Sequence, residues 1–312
     1  MPVIKYQRQK GNFVKHCPCS PETVSCGYYN LNLHTGCAYD CSYCILQAYL
    51  ESKEPVFYTN IEDMERELAA FVKGKQHLRI GSGELSDSLV YEPQANYAAG
   101  IMALFEQYPQ VVFEFKTKSA NVKNILTYPG VVKNIVISWS LNPQSIIDKE
   151  ETGTPSLSAR LSAMAAVQER GYKIGIHFDP MLAVGDWQDA YDSLIREIAS
   201  VVQPEGIAWW SLGTLRFPYA LRAEILKHPE SQLFSGELIK GYDGKYRYFK
   251  PLRLAMFHGA RDTIRSQLGP DIPLYLCMED AETWQAIFPE IEPAEAVINR
   301  CLYESVFNNL QP

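Results

Sequence analysis

The regular alternation of short apolar runs with amphipathic segments constrains this chain more than any other feature. Runs of strand character fall at residues 28–33, 77–80, 111–115, 134–139, 172–178 and 206–211. They are rich in the β-branched and aromatic residues that suit a buried pleated surface. Segments of helical period lie between them, near 45–50, 61–72, 95–107, 120–126, 157–170 and 187–202. Asn60 stands ahead of the second of these as a helix cap. Strands separated by helices imply a parallel sheet, because each strand must return over a crossover. Polar residues gather just after the runs, at 82–87, 116–118, 140–142, 177–179 and 211–216. In a doubly wound sheet and in a barrel alike, that edge is where chemistry is done.

The loop leaving the first run reads Thr35-Gly36-Cys37-Ala38-Tyr39-Asp40-Cys41-Ser42-Tyr43-Cys44. Thiolate is the soft ligand of iron–sulfur clusters, and a C-x3-C-x2-C loop can hold three irons of a cubane while leaving the fourth open. Structural zinc asks for a fourth ligand. Disulfides suit an oxidising compartment, which nothing else in the sequence indicates. The start of the chain has no apolar signal region, and no run of about 18 apolar residues is present, so the expectation is a cytoplasmic protein without a membrane span.

The cysteine loop, with Tyr43 before its last cysteine, resembles that of the radical S-adenosylmethionine (SAM) superfamily. The resemblance implies an α/β fold, a partial (β/α)6 TIM-type barrel with N- and C-terminal extensions. It implies a 4Fe-4S cluster on Cys37, Cys41 and Cys44, SAM bound at the open iron, and reductive cleavage of SAM to a 5′-deoxyadenosyl radical. An electron donor such as flavodoxin or ferredoxin is implied as well. Gly81-Ser82-Gly83-Glu84 corresponds to a turn from which Gly83 and Glu84 would contact SAM. The expected division is an extension over 1–27, a barrel core over 28–218 and a C-terminal elaboration over 219–312.

Within the superfamily the chain is similar to the spore photoproduct lyase family. The stretches that carry this are Ser86-Asp87, Thr117-Lys118, Ser140-Leu141-Asn142, Glu151-Thr152-Gly153-Thr154 with Arg160, Asp179-Pro180, Arg216-Phe217 and Gly244-Lys245-Tyr246, in that order. By this resemblance Tyr43, Ser86, Lys118, Ser140 and Asn142 surround SAM, and the substrate is nucleic acid or a nucleobase carrying a pyrimidine lesion. Two positions depart from the family pattern. Glu84 stands where the hydrogen-donor cysteine is expected, and Ile45 where a tyrosine follows the cluster loop. A carboxylic O–H bond is too strong to give up a hydrogen atom as a thiol does. Radical modification of a small metabolite or peptide is therefore a competing reading, and a non-catalytic iron–sulfur protein is another.

Outside the cluster loop, Cys17, Cys19 and Cys26 suggest a second metal or cluster site, with Cys277 as a further ligand or as a relocated hydrogen donor. Asp179 is a candidate base or anchor, and Tyr246 a candidate catalytic or stacking group. Cys301 reads as core, on a helix with Leu302, Val306 and Leu310. The net charge of −7 argues against a polyanion-binding surface. Local basic clusters remain at Lys116, Lys118, Lys123 and Lys133, and at Lys240, Lys245, Arg247, Lys250 and Arg253.

Overall fold

The structure is a computed structural model that describes residues 3–52 and 54–307. Eight strands form one sheet: β1 (Val14–His16), β2 (Tyr28–Leu31), β3 (Leu78–Ser82), β4 (Val111–Thr117), β5 (Ile135–Ser140), β6 (Lys173–Met181), β7 (Ile207–Thr214) and β8 (Leu274–Leu276). Their order across the sheet follows the chain without a reversal. β1 runs antiparallel to β2, and every other pairing is parallel. That order separates the two architectures left open by the sequence. A doubly wound sheet reverses at a switch point, whereas sequential right-handed crossovers put the helices on one side and curl the sheet. The result is a curled half-barrel.

The main helices are α1 (Ile61–Val72), α2 (Ala98–Glu106), α3 (Leu157–Glu169), α4 (Trp187–Val201), α5 (Lys250–Leu268) and α6 (Glu295–Phe307). Ser156 caps α3 by accepting from the Ala159 amide at 3.3 Å. Asn60 occupies the cap position of α1 but makes no capping bond. Its side-chain oxygen accepts instead from the Gln9 amide at 2.8 Å, tying the N-terminal arm to the helix. The central strands are buried along their length except at Lys116, as strands covered on both faces require.

The sheet takes strands from the first 27 residues, from the central stretch and from the C-terminal stretch alike, since β1 and β8 are its two edges. α6 packs at the N-terminal ends of the strands: Ser305 donates to the Ala208 carbonyl at 2.6 Å and Asn299 to that of His77 at 3.0 Å. Leu302 and Val306 are buried there, but Cys301 is exposed, which corrects its assignment to the core. The helix turns that residue away from the face it buries. Leu310 lies outside the described residues.

Candidate active site

Inside the curl, alternate strands contribute residues two apart, the spacing that puts side chains on one face of a strand. β2 supplies Tyr28 and Asn30, β4 Glu114 and Lys116, and β6 His177 and Asp179; β8 supplies Tyr275, with Cys277 just beyond its end. Together with Cys17, Cys26, Glu84 and Arg216 they line a cavity of about 250 Å³. Two glycines make room for its polar floor. A Cβ on Gly81 would lie 1.7 Å from the Tyr28 hydroxyl, and one on Gly175 would lie 2.5 Å from Trp209 Nε1.

Glu114 is the hub of that floor. Its Oε1 accepts from His177 Nε2 at 2.8 Å and from Trp209 Nε1 at 3.1 Å, and its Oε2 accepts from the Tyr28 hydroxyl. Burial works to raise this carboxyl, but the His177 ring and the Lys116 ammonium bring it down to about 2. Burial, helped by Lys116, pushes His177 below its ordinary value. Nearer the mouth, Arg216 makes a two-pronged pair with Asp179, at 2.9 and 3.2 Å. Burial would raise Asp179, yet this guanidinium holds it well below the carboxylate range. Asp179 is thus a fixed counter-ion. Arg216 also approaches the Cys277 sulfur at 3.3 Å.

The cysteine loop lies on the rim at the strand C-terminal ends. Cys37, Cys41 and Cys44 line one pocket with Gly83, Glu84, Ser86, Lys118 and Ser140. That pocket shares Glu84, Lys116, Asp179 and Arg216 with the inner cavity, so the two adjoin. Among the described residues no group of three or more His, Cys, Asp or Glu side chains could hold a single metal ion. A cubane asks for something different, since each thiolate binds its own iron. Three thiols on one pocket, none of them in a disulfide, meet that demand. Burial pushes Cys37 up to about 12 and raises Cys41 too, the latter against the pull of Lys118. A thiophilic metal would displace those protons.

Adjacent carboxylates behind the loop fix its shape. Glu150 accepts from the Ser42 hydroxyl, from Ser231 at 2.8 Å and from the Gln232 amide at 2.7 Å. Glu151 accepts from the Tyr43 hydroxyl, from Asn142 at 2.9 Å and from Arg160 at 2.6 Å. Asp40–Cys41 pairs antiparallel with Glu151–Thr152, so the backbone is held as well. Ser86 donates to the Gly36 carbonyl at 2.5 Å, and Gln47 to that of Cys41 at 2.6 Å. Lys118 Nζ sits 5.5 Å above the Tyr43 ring. Burial would lower that ammonium, but Glu151 and Cys41 keep it above its usual value.

This geometry redistributes the expected roles. Gly83, Glu84, Lys118 and Ser140 reach the rim pocket. Gly83 must be glycine: its φ is +106°, and a Cβ would lie 2.8 Å from the Lys116 carbonyl. Tyr43 and Ser86 also touch the pocket, but their hydroxyls are spent on holding the loop. Asn142 lies behind it, bonded to Glu151 and to the Tyr191 hydroxyl at 2.6 Å. Tyr246 stacks on Phe217 at 5.8 Å and lines neither space; its neighbour Lys245 lines the inner one. Cys17, Cys26 and Cys277 line the inner cavity, while Cys19 faces a separate surface groove with its sulfur 3.9 Å from that of Cys17. The second basic cluster is largely neutralised: Arg247 pairs with Asp243, Lys250 with Glu282 and Arg253 with Glu279. Glu114 and the Glu150–Glu151 pair were not among the expected site residues. A carboxylate inside an otherwise apolar strand, Val-Val-Phe-Glu-Phe, was the signal for the first.

A curled parallel half-barrel with a three-cysteine loop on its C-terminal rim defines the radical SAM class. A profile described as spore photoproduct lyase matches residues 20–246, well over half of the chain, and the chain belongs to that family. The spore photoproduct lyase of Clostridium acetobutylicum is 24% identical over 227 residues, covering 71% of this chain and 67% of the relative. That of Bacillus subtilis is 24% identical over 258 residues, 78% of this chain and 74% of the relative. A solved spore photoproduct lyase variant superposes with a TM-score of 0.78 at 20% identity, over 88% of this chain and 82% of that one. Another variant, solved with AdoMet and dinucleoside spore photoproduct, gives 0.72 at 21% identity, over 88% and 81%.

Proposed function

We propose that the chain is a radical SAM enzyme acting on a pyrimidine nucleobase or nucleotide, with Cys277 returning the hydrogen atom. The observation that carries this is the junction of two spaces, a three-thiol rim pocket and an inner cavity lined by Cys277. Cys37, Cys41 and Cys44 would hold the 4Fe-4S cluster, and Gly83, Glu84, Lys118 and Ser140 the SAM. When bound, this pair supplies reductive cleavage of SAM to the 5′-deoxyadenosyl radical, with the electron from a flavodoxin- or ferredoxin-type donor.

The protein's own residues prepare both spaces for that chemistry. Lys118 is a compact cation suited to the carboxylate of SAM, and Glu84, half-buried, is an acceptor for its ammonium. Cys277 is a thiol on the wall of the substrate space. Its S–H bond breaks homolytically as the product C–H bond forms, and the thiyl radical left behind takes one electron from the same donor and one proton. Burial and the Asp179 charge push this thiol well above its ordinary value, so it stays S–H at neutral pH, the form that can give a hydrogen atom. Nucleobase chemistry is supported by the family, in which relatives are spore photoproduct lyases and one was solved with a dinucleoside spore photoproduct. A cavity of about 250 Å³ is below the usual ligand-pocket span of roughly 300–1,000 Å³, which favours a small substrate.

The test is anaerobic reconstitution with iron and sulfide, then reduction with dithionite in the presence of SAM. Formation of 5′-deoxyadenosine is expected. A reconstituted, reduced protein that leaves SAM intact would mean an iron–sulfur protein without radical chemistry.

A further inference from the structure

We propose that His177 and Lys116 form the subsite that reads a lactam or imide edge, an N–H beside a C=O, of the substrate. The inference rests on the pyrimidine reading above and assigns the residues that recognise it.

The Glu114 carboxylate is acceptor-only when ionised. His177 Nε2 lies 2.8 Å from it and must carry the ring proton. A neutral imidazole then presents Nδ1 as a lone-pair acceptor. That atom is buried and has no hydrogen-bond partner among the described residues. Three donors hold Glu114 in place, so it orients the ring from behind. A buried acceptor without a donor is costly, and such a group calls for a partner that arrives with the ligand.

Lys116 supplies the complementary half. It lies two residues after Glu114 on the inner face of β4 and lines both the cavity and the rim pocket. No ion pair is formed by its ammonium among the described residues, whereas the neighbouring cation Arg216 is fully engaged by Asp179. One donor without an ion pair and one acceptor without a donor, on two residues that line the same cavity, match the C=O and N–H of an imide. Glu114, through the ring it orients, is a positioning residue.

The probes are thymidine, which has the imide N–H, and N3-methylthymidine, which lacks it. Binding is measured by calorimetry on the anaerobically reconstituted protein, alongside the ¹⁵N resonance of His177 Nδ1. Thymidine is expected to bind and to move that resonance in the direction of hydrogen-bond acceptance. N3-methylthymidine should bind at least about tenfold more weakly, the effect of leaving a buried acceptor unpaired, and should not move it. Lys116→Met should weaken thymidine binding by a similar factor. His177→Phe should remove the discrimination; because it also strips Glu114 of a partner, the Lys116 variant and the wild-type resonance carry the test if it fails to fold. Equal binding of both nucleosides, or an unmoved Nδ1 resonance with thymidine bound, would overturn the assignment. SAM cleavage assayed without nucleoside separates the two claims. Intact cleavage with equal nucleoside binding sinks the subsite alone, whereas discrimination without cleavage leaves the subsite standing and sinks the radical reading.

Discussion

Removing the Arg160 guanidinium would strand the Glu151 carboxylate in a site where both side chains are fully buried. Breaking such a pair costs about 3–5 kcal/mol, mostly from the charge left behind. Glu151 also holds the Tyr43 hydroxyl and Asn142, so the damage should reach the cluster loop. Arg160→Met is therefore expected to lower stability by that amount and to reduce iron incorporation together with it; a stable variant with full iron content would contradict the role given to Glu151. His34 gives a prediction in pH. Stacked on Phe57 at 4.5 Å, it is pushed by burial from 6.5 down to about 4. The folded state then binds fewer protons than the unfolded chain between those values, so stability falls as pH drops through that window. The contribution is about 3 kcal/mol. Denaturant midpoints should fall less between pH 7 and pH 4.5 in His34→Phe than in wild type, and equal falls would remove His34 from the account. At this scale the gathering of three thiols on one rim pocket was legible in the sequence, because the three cysteines share one short loop. The roles of Asn142 and Ser86 were not, because spacing shows that a polar side chain lies near the loop but not whether its hydrogen bonds are already taken.

Among the elements, β3 and β6 shape the site most. β3 ends in Gly81-Ser82 and Gly83 follows it; each glycine fills a separate steric need, Gly81 against Tyr28 and Gly83 against the Lys116 carbonyl. Gly83→Ala is expected to cost about 1–3 kcal/mol in backbone strain and to weaken SAM binding, since the turn carrying Glu84 must shift. Unchanged stability and SAM affinity would show that the turn is not constrained as described. β6 runs to Met181, beyond the strand read from sequence at 172–178. Asp-Pro signals a turn locally, but here the extended chain runs through it and carries Asp179 to Arg216. The Asn60 cap failed for a related reason: its side chain found a partner 51 residues away, beyond the reach of local propensity. β8 joins the sheet through pairing with β7. Nothing in the local pattern of Leu274-Tyr275-Leu276 distinguished a barrel strand from a packed-on segment.

As a whole, the molecule has the curled half-barrel of its family. Glu84 lies at the junction of the two spaces, where the family resemblance leads one to expect a thiol, and the thiols instead sit across the cavity at Cys17, Cys26 and Cys277. The chain carries a net charge of −7, and three members of its second basic cluster, Arg247, Lys250 and Arg253, are tied up in ion pairs. We therefore expect it not to repair spore photoproduct with turnover. Given dinucleotide spore photoproduct under anaerobic reducing conditions, it should release less thymine than one equivalent per enzyme; many turnovers would contradict this, and their loss in Cys277→Ala would identify Cys277 as the donor for that reaction too. Duplex DNA should bind weakly and lose affinity steeply with salt. No helix among the described residues is long and apolar enough to cross a membrane. If the rim loop holds a cluster that activates SAM, Cys41→Ala must destroy it, because Cys41 is the buried member of the three. After anaerobic reconstitution the variant should lack both the 4Fe-4S signal and 5′-deoxyadenosine formation, while a Cys17→Ala, Cys19→Ala, Cys26→Ala triple variant keeps both. Full SAM cleavage by Cys41→Ala would contradict the account.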